Sequence, residues 1–348
     1  MPTATRNPAE RPARSSAPTA APRPRRVGVA LSPAMSLSSL LLAVEPLRSV
    51  NRFFQRPAYE IVFVGPSADP VASGIGIAVT PAATFGDGAI FDLALAVSAY
   101  DQPEPYRRAL ARWLRRQARA GATLCGVDYG AVFLAEAGLL DGRRATTHWE
   151  VRKSVAARFP RVAFRDEIFV IDGPRLTCGG HLACHDLFLT LVEREHGAAV
   201  ARFVEADLIA GRARPAETRQ GDPLTTGPLI PNAHLRRAVA IMEANVETPL
   251  PLPALAAQVG ISPRQLQTLS RRHLGETVSA RYLSIRLSAA RYLLMYADMP
   301  VTEVALATGF GSASSFSRSF RTRLRTSPRA YKRGFAVTLA RPWFFPPG

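Results

Sequence analysis

The sequence is poor in cysteine and contains no long hydrophobic run. Its three cysteines, Cys125, Cys178 and Cys184, form no Cys-x-x-Cys pair and no metal-ligand spacing, so reduced, mostly buried thiols and no metal site are expected. No stretch of about eighteen apolar residues occurs, so no membrane-spanning helix is expected. The first 24 residues lack the apolar segment of a secretory signal. Together these absences favour a cytoplasmic protein.

Lysine is also scarce, because only Lys153 and Lys332 occur, and arginine carries the positive charge. Residues 1–26 hold six arginines and one glutamate, a net +5, and residues 228–348 hold sixteen basic and five acidic residues, a net +11. The total is +17, which leaves +1 for the rest of the chain. Basic charge gathered at the two ends is typical of phosphate binding. A surface charge that serves only solubility is the alternative.

The length and composition indicate two domains with flanking segments. The chain has 348 residues, 47% of them hydrophobic, which is enough for two cores. We expect a disordered basic tail over residues 1–25, a first domain over residues 26–210 and a linker over residues 211–231. A second domain is expected over residues 232–334, followed by a short tail over residues 335–348.

The first domain alternates short strands rich in Val, Ile and Leu with helical stretches. The predicted strands are Val27–Leu31, Glu60–Val64, Leu93–Val97 and Thr123–Cys125. The predicted helices are Leu37–Arg48, Tyr106–Ala120, Ala131–Ala137 and Cys184–His196. This alternation predicts a flavodoxin-like α/β domain whose mostly parallel sheet has helices on both faces. Residues 169–171 and 176–178 predict a hairpin, since Asp-Gly-Pro separates them.

The second domain contains two helix-turn-helix patterns, at residues 255–266 (LAAQVGISPRQL) and 301–316 (VTEVALATGFGSASSF). Each joins a short apolar helix, a turn with a glycine, and a serine, Ser262 or Ser312, that caps a second helix. Apolar residues at helical spacing between them predict one long connecting helix. Adjacent major grooves on one face of DNA lie about 34 Å apart. We therefore expect an all-α domain that reads two grooves of double-stranded DNA.

This segment resembles the AraC/XylS family of transcription regulators over about a hundred residues. The resemblance is carried by residues 301–305 (VTEVA), 309–320 (GFGSASSFSRSF) and 327–331 (SPRAY). It places base-contacting positions on the second helix of each helix-turn-helix unit. In the first unit, the polar faces of that helix add Gln265 and Arg271. The predicted DNA-binding residues are Arg264, Gln265, Gln267, Thr268, Arg271, Ala313, Ser314, Ser317 and Arg318.

The first helix-turn-helix unit departs from that family at three positions. Ser270 stands where an aromatic residue is usual, Thr268 where arginine is frequent, and Val278 where proline is common. These changes predict weaker packing and a narrower base readout in the first unit. A helical domain that keeps the pattern without binding DNA is the alternative.

A third motif follows the strand predicted at Thr123–Cys125. Residues 126–135 (GVDYGAVFLA) resemble the strand-to-helix nucleophile elbow of the class I glutamine amidotransferase-like superfamily, the ThiJ/PfpI group. Further matches lie at residues 43–48 (AVEPLR) and 137–149 (AGLLDGRRATTHW), and the resemblance covers about residues 26–210. It places that family's histidine on His148 and its glutamate on Glu45.

The catalytic parts of those enzymes are missing from this chain. Asp128 stands where they have a nucleophilic cysteine, and Cys125 belongs to the preceding strand. The glycine pair of the oxyanion hole would fall near residues 98–100, which are Ser-Ala-Tyr. We therefore expect no enzyme, no catalytic residue and no cofactor. An active hydrolase or isomerase is the lesser alternative.

The elbow retains a pocket at the carboxyl ends of the strands, where open α/β sheets bind ligands. A carboxylate beside aromatic rings suits a cationic small molecule. Core packing for Trp149 and a structural hydrogen bond for His148 remain open, and a structural role is favoured for His181. The predicted ligand-binding residues are Glu45, Asp128, Tyr129, His148 and Trp149.

The combination of domains resembles AraC-type regulators with an amidotransferase-like sensor. Residues 43–51 and Asp128 are similar to those of regulators of arginine, glycine betaine and carnitine catabolism. The resemblance implies a homodimeric activator that works with RNA polymerase and answers to a small-molecule effector, an amino acid or quaternary amine. His181 and Leu182 differ from that subgroup and leave the ligand open. The alternative is an effector-independent regulator whose α/β domain only dimerises.

Overall fold

The computed structural model describes residues 23–221, 230, 232–297 and 299–333. The tail predicted over residues 1–25 is described only from Arg23, and the tail predicted over residues 335–348 lies outside the described residues. Among the described residues, no helix is both long and apolar enough to span a bilayer.

The first domain alternates strands and helices as the sequence predicts. Its strands are β1 (Arg25–Leu31), β2 (Tyr59–Gly65), β3 (Val71–Ala72), β4 (Ala78–Val79), β5 (Ala83–Thr84), β6 (Leu93–Ser98), β7 (Thr123–Asp128), β8 (Arg144–Ala145), β9 (Ala163–Phe164), β10 (Phe169–Asp172) and β11 (Arg175–Cys178). Its helices are α1 (Leu37–Phe54), α2 (Glu104–Arg119), α3 (Gly130–Glu136), α4 (Trp149–Arg158), α5 (Leu182–His196) and α6 (Ala198–Asp207).

The main sheet has the order β10-β11-β7-β6-β1-β2-β5. The pairs that join β11 through β5 are parallel, and the β10–β11 hairpin is antiparallel. Side chains of β1 and β6 alternate between two cores: Val29 and Leu95 join one hydrophobic cluster, and Ala30 and Ala96 join the other. Helices therefore cover both faces, which confirms the predicted flavodoxin-like α/β fold.

The segment after α6 packs against the first domain instead of leaving it. Arg214 pairs with Asp186, which is 6% exposed at its side chain, and its backbone N–H donates to the same carboxylate. The Gln220 amide donates to Thr146 Oγ1 and to the carbonyl oxygens of Thr147 and Glu167. Residues 211–221, which the composition places in the linker, thus form contacts of the first domain.

The second domain is helical. Its helices are α7 (Ala233–Ala244), α8 (Leu252–Val259), α9 (Pro263–Leu274), α10 (Val278–Tyr296), α11 (Val301–Ala307) and α12 (Ala313–Leu324). One hydrophobic cluster joins α7, α8 and α9 to the first half of α10, and a second joins α11 and α12 to its other half. The long connecting helix predicted between the two helix-turn-helix units is therefore confirmed.

The predicted caps of the two recognition helices are present. Ser262 Oγ accepts from the backbone N–H of Gln265, whose side chain accepts in return from the backbone N–H of Ser262. Ser312 Oγ accepts from the backbone N–H of Ser315. A Cβ at Gly309 would lie 2.6 Å from the carbonyl oxygen of Val246, so this turn requires glycine.

The two domains touch through α4 of the first domain. Glu150 pairs with Arg291 of α10 at 3.4 Å, and Lys153 pairs with Glu243 of α7 at 3.1 Å. Tyr292 of α10 packs against the first-domain cluster that includes Val151 and Val155. The helix that begins beside the predicted pocket thus also contacts the second domain.

Candidate functional site

Asp128 occupies a strained strand-to-helix turn at the carboxyl end of β7. Its φ is 58°, a left-handed conformation that few residues other than glycine, asparagine and aspartate adopt. Gly130 permits the turn, because a Cβ there would lie 1.9 Å from the carbonyl oxygen of Ala96. The carbonyl oxygen of Asp128 accepts from Thr147 Oγ1 at 2.8 Å. The backbone therefore has the geometry of a nucleophile elbow, with a carboxyl group as its side chain.

The Asp128 carboxyl is nearly closed off from solvent, with 5% of the residue exposed. A Cβ at Gly180 would lie 3.0 Å from its Oδ2, so the loop before α5 lies directly on it. Burial raises the pKa of Asp128 well above its ordinary value, and the negative charges of Cys178 and Glu150 raise it further. The folded protein therefore favours the neutral form of Asp128 more than solvent does.

His148 and His181 directly follow Thr147 and Gly180, the two residues that lie against Asp128. His148 caps α4, since its Nδ1 accepts from the backbone N–H of Glu150. Burial lowers the pKa of His148 to about 4, and the neighbouring His181, whose ring centroid is 6.4 Å away, adds to that effect. His181 Nδ1 lies 2.8 Å from Ser38 Oγ, and its own φ is 49°. The ring of Trp149 lies 5.1 Å from that of His148.

Two of the predicted ligand residues have side-chain partners of their own. Glu45 forms an ion pair with Arg48 on α1, and among the described residues it has no bond to Asp128, His148 or Trp149. Tyr129 is buried in the core beside Phe133, with ring centroids 5.4 Å apart, and burial raises the pKa of its hydroxyl. The structure joins Asp128 to the segment that leads into His148 and Trp149 through the Thr147 hydroxyl, and it pairs Glu45 with Arg48 and packs the Tyr129 ring against Phe133.

The hydrogen-bond donors that an acyl-transfer site would need are already engaged. The backbone N–H of Tyr129 donates to the Ser98 carbonyl oxygen at 2.8 Å, and Ser98 Oγ donates to the Tyr100 carbonyl oxygen at 2.8 Å. The Tyr129 N–H reaches Ser98 because β7 continues its parallel ladder with β6 up to Asp128. Cys125 is fully buried within β7. No cysteine nucleophile stands at the elbow.

The other two cysteines lie next to the elbow and form a close pair. Cys178 Sγ and Cys184 Sγ are 3.6 Å apart, and all three cysteines are buried and free, as the sequence predicts. A hydrogen bond from the Cys184 thiol and backbone N–H groups lower the pKa of Cys178. The group packs β11 against the start of α5 and leaves no thiol accessible to solvent.

Sequence reasoning missed Glu150, Tyr100 and Gly180. Glu150 donates its backbone N–H to His148, and burial, with the nearby carboxyl groups of Asp128 and Glu150, raises the pKa of Tyr100. Neither has a motif signal, because each comes to the site by tertiary packing. Two open cavities, of about 590 Å³ beside α9 and 260 Å³ beside Glu136, lie elsewhere. The Asp128 site is closed in this conformation.

The predicted DNA-contacting residues fall on the outward faces of the recognition helices α9 and α12. Six of them are exposed, and Gln267, Ala313 and Ser317 are partly buried. The exposed ones are Arg264, Gln265, Thr268, Arg271, Ser314 and Arg318.

The side chains of the two glutamines of α9 are engaged within the domain. Gln265 Oε1 accepts from the backbone N–H of Ser262, and Gln267 Oε1 accepts from the backbone N–H of Val278. Ser270, where an aromatic residue was expected, is buried and donates to the carbonyl oxygen of Glu276. The helix-turn-helix packing thus compensates for the missing aromatic ring with a hydrogen bond.

Comparison with known proteins identifies both domains. A helix-turn-helix domain family matches residues 255–334, and the DJ-1/PfpI family matches residues 43–194. The HTH-type transcriptional regulator CdhR of Pseudomonas aeruginosa is 39% identical over 323 residues, covering 91% of this chain and 94% of that protein. The regulator GlxA of Rhizobium meliloti is 35% identical, covering 89% and 96%. An isonitrile hydratase of Pseudomonas putida is 28% identical, covering 55% and 82%.

Proposed function

Because the chain belongs to the AraC family of DNA-binding transcriptional regulators and has a DJ-1/PfpI-type first domain, we propose that it is an activator controlled by a small metabolite. The metabolite is a cationic or zwitterionic molecule, such as an amino acid or a quaternary amine, and it binds at Asp128. The observation that carries this proposal is a buried carboxyl group at the elbow, where a catalytic thiol would otherwise stand, with its backbone carbonyl bonded to Thr147, the residue that precedes His148 and Trp149.

The buried acid of Asp128 explains why the ligand should be positively charged. A neutral ligand gains little binding free energy from an uncharged carboxyl group in a closed site. A cation placed against Asp128 stabilises the ionised form of its carboxyl group. Aromatic faces add attraction for ammonium groups. Binding of a cation should therefore release about one proton from Asp128.

The DNA-binding half of the proposal uses both helix-turn-helix units of one chain. The exposed arginines Arg264, Arg271 and Arg318 supply contacts to bases and phosphates. We propose that the protein acts as a cytoplasmic homodimer and recruits RNA polymerase when the effector is bound. A ligand achieves this only if it binds the active arrangement more tightly than the inactive one.

A thermal-shift screen of the full chain against amino acids, quaternary amines and polyamines tests the effector. We expect one compound to raise the unfolding midpoint saturably and to release a proton, measured by calorimetry in buffers of different ionisation enthalpy. Asp128→Asn keeps the left-handed turn and should abolish the proton release and weaken binding. Asp141→Asn, a carboxyl paired with Arg161 outside the site, is the matched control.

Two other outcomes would favour the alternative functions, a dimerisation module or an enzyme. If no compound shifts the midpoint while the protein still selects a DNA sequence from a random pool, the α/β domain serves only for dimerisation. If a panel compound is consumed with turnover that depends on Asp128 or His148, the first domain is an enzyme. The engaged donors at Ser98 and Tyr129 argue against that outcome.

A further inference from the structure

A series of contacts joins Glu150, in the first turn of α4, to the second recognition helix. Arg291 of α10 donates through one nitrogen to Glu150 at 3.4 Å and through Nε to the Tyr331 hydroxyl at 2.9 Å. The ring of Tyr331 lies 5.4 Å from that of Phe320, a fully buried side chain of α12. One arginine therefore links the helix beside the pocket to the packing of the recognition helix.

The Glu150 end of this series belongs to the pocket. Glu150 lies in the first turn of α4, immediately after Trp149 and the capping residue His148. Its backbone N–H donates to His148 Nδ1, and Thr147, just before that histidine, donates to the carbonyl oxygen of Asp128. The charge of Glu150 also raises the pKa of Asp128. Two carboxyl groups thus share one neighbourhood, and the ion-pair partner that Glu150 has there is an arginine of the DNA-binding domain.

The Arg291–Glu150 ion pair is partly buried, so replacing its cation should change the contact between the domains. The side chains of Arg291 and Glu150 are 23% and 22% exposed, so their attraction is less screened than on an open surface. The second ion pair across the interface, Lys153 with Glu243, involves a lysine that is 64% exposed, and it contributes little. Asp128 itself is closed, so a ligand enters only when a covering element moves.

We propose that Arg291 is an internal cation held at the acidic mouth of the effector site, and that a cationic effector replaces it on Glu150 and so frees α10 from α4. This inference rests on the proposed function, because it supplies the route from the Asp128 site to DNA. The recognised chemistry is a guanidinium or ammonium group. In the unliganded protein, Arg291 fixes α10, Tyr331 and α12 relative to the first domain. Replacement of Arg291 releases them.

The first test needs no identified effector. Hydrogen–deuterium exchange of the full chain is followed in α4 and α10 for the wild type, Arg291→Gln and Arg291→Lys. We expect Arg291→Gln to speed exchange in both helices about fivefold or more and Arg291→Lys to change it less. Lys153→Gln, which breaks the exposed pair on the same helix, is the matched control and should leave exchange near the wild-type rate.

The second test uses simple cations as probes. Guanidinium and tetramethylammonium chloride at low millimolar concentration should speed exchange in wild-type α4 and α10, relative to sodium chloride at the same ionic strength. They should act much less on Arg291→Gln, which lacks the arginine that they replace. If Arg291→Gln folds and exchanges like the wild type, or if the probes act equally on both proteins, the inference is overturned.

These outcomes separate the inference from the proposed function. If no metabolite binds in the thermal-shift screen, the effector role is contradicted. Faster exchange in Arg291→Gln would still show that Arg291 holds the two domains together. Conversely, the wild type and Arg291→Gln could bind a metabolite with the same affinity. The effector role would then be supported, and the proposal that the effector displaces Arg291 from Glu150 would be refuted. We expect instead about fivefold tighter binding in Arg291→Gln.

Discussion

The guanidinium carbon of Arg286 lies 4.0 Å from the ring centroid of Phe310, and Arg286 Nε donates to the carbonyl oxygen of Thr308 at 2.8 Å. Arg286 is on the connecting helix α10, whereas Thr308 and Phe310 form the turn of the second helix-turn-helix unit. One side chain therefore fastens the turn to the connecting helix, through stacking on the ring and a hydrogen bond to the backbone.

Replacement of Arg286 should loosen the second unit alone. We expect Arg286→Ala to destabilise it by about 1–2 kcal/mol, since a stacked cation and a hydrogen bond to a buried carbonyl are both lost. Amide exchange over residues 301–324 should accelerate while residues 252–274 stay protected. Arg272→Ala, an exposed arginine of α9, serves as the control, and equal exchange in both variants would contradict the assignment.

Asp128→Asn should stabilise the unliganded protein at neutral and alkaline pH. The pKa of Asp128 is raised in the folded state. As pH rises above the ordinary 3.8, the unfolded chain releases a proton that the native state keeps, and folding stability is lost. Asparagine avoids that loss and tolerates the positive φ. Thermal unfolding at pH 4 and pH 8 measures it: the midpoint should rise at pH 8 only, and a fall at pH 8 would refute it.

His148 should make the first domain sensitive to mild acid. Its pKa is about 4 in the folded state against an ordinary 6.5, so between these values the unfolded chain binds a proton that the folded protein excludes. The stabilisation is fully present above pH 6.5 and declines by up to about 3 kcal/mol as the pH falls towards 4. Replacing His148 by Gln should flatten urea-unfolding stability across this range. An unchanged slope would show that another group titrates.

Arg318→Ala should weaken specific DNA binding by about 1–3 kcal/mol and relax base preference at one position of the site. The test is to select a preferred sequence from random DNA and to measure anisotropy against that sequence and its single-base variants. If the loss is the same on every sequence and the salt dependence becomes shallower, Arg318 contacts a phosphate instead.

Local pattern was enough to predict the elements of both domains. The alternation of apolar runs located the strands β1, β2, β6 and β7, and serine caps located the starts of α9 and α12. Boundaries shifted where tertiary contacts extend an element. For example, α1 continues from the predicted Arg48 to Phe54, where its last aromatic residues pack against Phe203 and His196.

The candidate site was predictable only in part. The elbow motif located Asp128, and the histidine match located His148, because both depend on short segments of sequence. Glu150, Tyr100 and Arg291 carry no such signal, since Arg291 stands 141 positions from the glutamate that it pairs with. Glu45 was assigned by resemblance, whereas the structure pairs it with Arg48. Local sequence patterns do not predict which distant segments the fold brings into contact.

The attachment of residues 211–221 to the first domain has a consequence for how such regulators recombine. Asp186 depends on Arg214, and Thr146 and Thr147 beside the elbow depend on Gln220. A crossover at residue 210 that joins this first domain to a foreign DNA-binding domain would leave a buried carboxylate without its cation. The first domain as a folded unit therefore extends to Gln220, and a stable chimaera should carry its junction beyond that residue.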